Sequence, residues 1–120
     1  MGPDAILARV CASFDVLIQL AAGHGGLFPS VLDRFLHVVP DTMPAAIPGQ
    51  RDGDLSYGGS NLIHDEAELK TLYALSQALD RPDYAQAADR YVHSFATDCT
   101  ATPSGLFPWG EHAFWHLGEQ

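Results

Sequence analysis

The chain has 120 residues, enough for one domain with a core of its own, and its 47% hydrophobic and 10% aromatic content excludes a disordered tail. Fifteen acidic residues against six basic ones give a formal net charge of −9. That balance argues against a nucleic-acid partner, whose phosphates must be neutralised by Lys and Arg, and against an anionic membrane surface.

From the N-terminus, Asp4 behind Pro3 is expected to cap a first helix running to about Ala22, with Ile6, Leu7, Val10, Phe14, Leu17, Ile18 and Ala21 on one face. Arg9 and Asp15 interrupt the apolar run, so it reads as an amphipathic helix of a soluble chain. Neither a leader nor a membrane span is expected, and the default compartment is the cytoplasm. His24, Gly25 and Gly26 should end the helix. Residues 27–39 fit either a short strand or a short helix. Residues 40–60 carry three prolines and four glycines and read as a long irregular loop.

A second helix is expected from near His64 to Leu79, with Leu69, Leu72, Tyr73, Ser76 and Leu79 as its stripe. After Asp80 and Arg81, Pro82 suits the first position of a third helix. Its apolar face comprises Tyr84, Ala87, Ala88, Tyr91, Val92 and Phe95, reaching about Asp98. The short connection predicts an antiparallel αα-hairpin. A fourth helix should begin near Glu111. GLFP occurs at 26–29 and again at 105–108, each time after an expected helix, as in a repeat architecture. Cys11 and Cys99 are too few for a disulfide framework and read as thiols in helices.

The stretch ELKTLYALSQALDRPDYAQAADRYVHSF, with its turn Leu79-Asp80-Arg81-Pro82-Asp83-Tyr84 and the small residues Ala87, Ala88 and Asp89 before Tyr91, resembles hairpins of the (α/α)6-toroid carbohydrate enzymes. That superfamily includes N-acylglucosamine 2-epimerase-like proteins, unsaturated glucuronyl hydrolases and helical-toroid polysaccharide lyases. The resemblance spans roughly residues 55–117. It implies an all-α fold of antiparallel hairpins forming part of a toroid, with residues 1–120 as a single partial domain. A full toroid needs about twelve helices, so the chain reads as an N-terminal portion that self-associates if its core is incomplete. The implied activity is that of a glycoside hydrolase, polysaccharide lyase or sugar epimerase. The paired aspartates of the glucuronyl hydrolases have no recognisable context here.

In such toroids the loops before inner helices line the substrate cleft. Carried over by position, Asn61, His64, Asp65 and Glu66 would stand at its mouth, with Trp109, Glu111 and His112, under a loop bearing Arg51 and Tyr57. Asp65, Glu111 and His112 are the expected acid–base residues, with His64 modulating their protonation. Tyr57 and Trp109 would stack on sugar, Arg51 would pair with a substrate carboxylate, and Asn61 and Glu66 would complete the binding set. The same acidic first turn also serves as a helix cap, and both roles can coexist. His112 and His116 have the i, i+4 spacing of zinc ligands, but Glu111 precedes them and no third ligand is at hand, so no metal or other cofactor is expected. The alternative is a small helical-repeat module that binds a protein partner without catalysis.

Overall fold

The computed structural model describes residues 2–38, 58–106 and 114–118, and the description that follows concerns these. It is mostly helical, with one small sheet: α1 (Pro3–Ala21), a 3-10 turn (Ala22–His24), β1 (Gly59–Ser60), α2 (Leu62–Leu79), α3 (Pro82–Ser94), a π turn (Phe95–Cys99) and β2 (Trp115–His116).

Proline at the first position of α1 and of α3 starts each helix with its φ already set. Gly2 is the N-cap of α1, and Asp4 lies in the first turn, where it favours the helix dipole instead of capping it. The helix tightens into the 3-10 turn and stops at Gly25, whose φ of 65° is left-handed. Asn61 caps α2 by accepting a hydrogen bond from the Ile63 amide at 2.9 Å. Asp80 ends it in the left-handed region, and Arg81 leads directly into α3.

The core joins α2 and α3 to the first GLFP segment. Leu69, Leu72 and Leu75 of α2 meet Tyr84, Ala88, Tyr91 and Phe95, and Leu27 and Phe28 are buried among them. The Phe28 and Tyr91 rings lie 4.9 Å apart, tilted by 48°, a favourable aromatic geometry. The buried stripe of α2 is therefore rotated from the expected one: Leu75 is inside, whereas Tyr73 and Leu79 are exposed. Tyr73 instead donates to Asp89 of α3 at 2.8 Å. On α3, Val92 is exposed and the rest of the expected face is buried.

α1 lies more loosely on this core. Ala21 is its buried residue, Val10, Phe14, Leu17 and Ile18 pack partly, and Ile6 and Leu7 are exposed. A polar latch holds it: Asp15 accepts from the Tyr84 hydroxyl at 3.0 Å and from Arg81 at 3.1 Å. The guanidinium of Arg81 also sits 4.3 Å from the centroid of the Tyr84 ring. Pro3–His24 is long and apolar enough to cross a membrane by length and composition, and only 11% of its most apolar window is buried.

Residues 27–38 form neither a strand nor a helix. After the buried GLFP, Leu32 and Val38 make an isolated bridge around a turn in which Asp33 accepts from the amides of Phe35 and His37. Cys11 and Cys99 are free thiols, the first in α1 and the second in the π turn.

The main departure from an all-α reading is the sheet. Gly59 pairs with His116 and Ser60 with Trp115, antiparallel, and the Leu117 amide donates to Gly58 at 2.8 Å. Residues 115–116, expected inside a fourth helix, are thus extended, so His116 lies on a strand and not on a helical face. Aromatic residues suit an extended backbone, and the ring of Phe114 occupies the space a side chain at Gly59 would need, with a Cβ there 2.1 Å from its Cδ2.

Candidate functional site

The head of α2 carries a buried polar cluster. Asp65 lies one turn into the helix, and its amide donates to the Asn61 carbonyl at 3.0 Å. Its side chain points into the junction of α2, α3 and β1, with 6% of the residue exposed. There Oδ2 accepts two hydrogen bonds, one from the Tyr91 hydroxyl at 2.6 Å and one from Ser60 Oγ at 3.1 Å. Ser60 Oγ and the Tyr91 hydroxyl are themselves 3.1 Å apart, closing a triangle of three side chains from three elements.

Burial dominates the chemistry of this carboxyl. It pushes the Asp65 pKa up to about 6, against the hydrogen bonds from Tyr91 and Ser60, which favour the anion. The charge of Glu68, one turn further along α2, adds to the upward shift. Oε2 of Glu68 is shielded from solvent with no hydrogen-bond partner among the described residues, and so is Oγ of Ser30. Ser30 belongs to the same region, since its amide donates to the Gly59 carbonyl at 2.9 Å. Burial and the neighbouring Asp65 raise the Tyr91 pKa, so its phenol stays protonated and acts as a donor. Burial likewise raises the Cys99 thiol to about 11, which leaves it a poor nucleophile at neutral pH.

Of the residues expected at the cleft mouth, four are described. Asp65 is buried in the triangle; Asn61 is buried and its side-chain oxygen caps α2. His64 is exposed, and the leading influences on Asp65 are its burial, Tyr91, Ser60, Glu68 and the Asn61 backbone. Glu66 is exposed and pairs with Lys70 on the solvent side of α2. Arg51, Tyr57, Trp109, Glu111 and His112 lie outside the described residues. The β1–β2 pairing nevertheless joins the stretch before α2 to the aromatic stretch near residue 115.

Three members of the cluster escape a reading of the sequence alone. Tyr91 falls on an apolar stripe, where only the rule that a buried phenol needs a partner points to more than packing. Ser60 reads as a cap candidate beside Asn61. Glu68 follows Asp65 at i+3, the spacing that puts two carboxylates on one helical face, and that spacing was the available signal. Among the described residues no group of three or more His, Cys, Asp or Glu could hold a metal ion.

Comparison with known proteins gives no match to a family model, a curated protein or a solved structure. The site therefore has to be read from its own chemistry.

Proposed function

We propose that this chain is part of a carbohydrate-active (α/α)-toroid protein, built of antiparallel αα-hairpins, whose site performs acid–base chemistry on a sugar or uronide. The observation that carries the reading is the Asp65 carboxyl, buried at the head of α2 and held by Tyr91 and Ser60. A carboxyl with a pKa of about 6 is partly protonated near neutrality and can both give and take a proton. Glu68 places a second carboxylate one turn away, and glycoside chemistry works through carboxylate pairs. In this reading Glu111 and His112 share the acid–base work, and Trp109 and Tyr57 stack on the sugar.

The test replaces Asp65 with Asn and, separately, Glu68 with Gln, and assays each against a panel of uronides and N-acylhexosamines. The proposal expects turnover by the unaltered chain and a loss of at least about a hundredfold in Asp65→Asn, the usual reach of a lost acid–base group. Turnover unchanged by both replacements would overturn it. A helical-repeat interaction module without catalysis is the second reading, favoured by the exposed apolar side chains of Ile6 and Leu7 on α1 and of Phe35 and Leu36 in the turn after GLFP.

A further inference from the structure

A cavity of about 430 Å³ opens on the molecule beside β2, lined by His24, Gly25, Leu27, Asp98, Ala101 and Trp115. None of these residues belongs to the Asp65 cluster or to the cleft residues expected from the sequence. Three separate pieces of the chain build its walls, and each is pinned. The Leu27 amide donates to the His24 carbonyl at 3.1 Å, and Ser94 donates to the Gly25 carbonyl. The Ala101 amide donates to the Asp98 carbonyl at 3.2 Å, while Trp115 is held opposite Ser60 in the β ladder.

The lining divides by chemistry. Trp115 and Ala101 offer an aromatic and aliphatic wall, with Trp115 half-buried against the core and the Leu27 side chain wholly inside it. Asp98 is exposed, and among the described residues its carboxylate engages no ion pair and receives a long 3.3 Å contact from Thr97 Oγ1. His24 is half-buried with no side-chain hydrogen bond or ion pair among the described residues. The cavity therefore pairs a flat apolar face with one strong acceptor and one ring that both donates and accepts.

We propose that this cavity binds a neutral pyranose ring, stacked on Trp115 and hydrogen-bonded through its hydroxyls to Asp98 and His24. A pyranose has the same division, with an apolar C–H face and hydroxyls around its edge. The volume lies within the range of small-molecule sites, roughly 300–1,000 Å³. A carboxylate-bearing sugar is disfavoured, because Asp98 would face it and, among the described residues, no Lys or Arg lines the cavity. This site goes beyond the acid–base reading of Asp65 and stands on its own lining.

The test is a titration of the isotope-labelled 120-residue chain, followed by amide and indole NMR shifts, with methyl glucoside, methyl galactoside and methyl mannoside. Glucuronate and methylamine serve as charged controls. The expected result is a saturable shift of the Trp115 indole and of the Asp98 and Ala101 amides with at least one neutral glycoside. Affinity should fall about tenfold in Asp98→Asn, the scale of one charged hydrogen bond. His24→Ala should weaken it too, and Asp65→Asn should leave it intact, which separates this site from the proposed catalytic one. Asp98 is exposed, so its replacement leaves the fold standing, and far-ultraviolet circular dichroism verifies that. The proposal is overturned by any of three results: no shift at the cavity at about 50 mM glycoside, far above a millimolar Kd; binding unaffected by both Asp98→Asn and His24→Ala; or preference for glucuronate or methylamine.

Discussion

Asp65 is costly to bury as an anion, and the cost appears as a dependence of stability on pH. Its folded pKa of about 6 lies above an ordinary unfolded value of about 3.9, so the folded chain holds the proton more tightly than the unfolded one. The stabilising contribution of the neutral carboxyl is complete below about pH 4 and is lost as pH rises through about 6. Asn keeps the shape without the charge. Urea denaturation should therefore show Asp65→Asn gaining on the unaltered chain by on the order of 2–3 kcal/mol between pH 4 and pH 8. An identical difference at both pH values would mean that Asp65 does not titrate in that window. The spacing of Asp65 behind Asn61 was legible as a helix start. That its side chain turns inward was not, because the groups that receive it, Ser60 and Tyr91, stand 5 and 26 positions away in sequence.

At the scale of elements, the β1–β2 pair joins two stretches separated by all of α2 and α3, and Gly59 makes it sterically feasible. Phe114 fills the space above Gly59, so Gly59→Ala puts a methyl group into the ring. The expected cost is that of overpacking, about 1–3 kcal/mol, with lost amide shift dispersion at 58–60 and 115–117. Gly23→Ala is the control, since its added Cβ meets nothing within 4 Å, and it should melt at or slightly above the unaltered temperature. Equal melting temperatures for both variants would refute the packing account. Local signals did locate the helices: Pro82 at a first position, Ser60 or Asn61 where the cap of α2 belongs, Gly25 near the stop of α1. At α1 they put the cap at Asp4, whereas Gly2 is the N-cap and Pro3 the first helical residue. They misassigned Trp115 and His116, whose i, i+4 relation to earlier residues resembles a helix until the strand partner is known. The two GLFP copies also diverge. Both start at a positive-φ glycine, yet Leu27 of the first is buried and Leu106 of the second is 71% exposed.

For the whole molecule, burial is uneven. α2, α3 and the first GLFP share the core, while the first half of α1 rests outside it, tied on through Asp15, Arg81 and Tyr84. The Arg81–Asp15 pair is solvent-accessible and therefore a weak, salt-screened tie. Hydrogen exchange should accordingly run faster in the amides of residues 6–10 than in those of residues 69–75 and 87–91, because local opening there exposes little apolar surface. Equal protection across all three segments would show α1 to be integral to the core. The exposed face of α1 could not be anticipated from its pattern, since the same i, i+3, i+4 stripe describes a buried helix and one that waits for a neighbour.

Sequence alone determined what depends on neighbours a few positions apart: the three helices, where α1 and α2 stop, and most of the apolar stripe of α3. Those properties follow from backbone preference and helical period, which are local. Tertiary structure decided which face of α2 is buried, that residues 115–116 pair with 59–60 as strands, that Asp65 meets Tyr91 and Ser60, and that His24, Asp98 and Trp115 share a cavity. Each of these rests on contacts between distant positions, whose free energy comes from burial and hydrogen bonding that no local preference encodes.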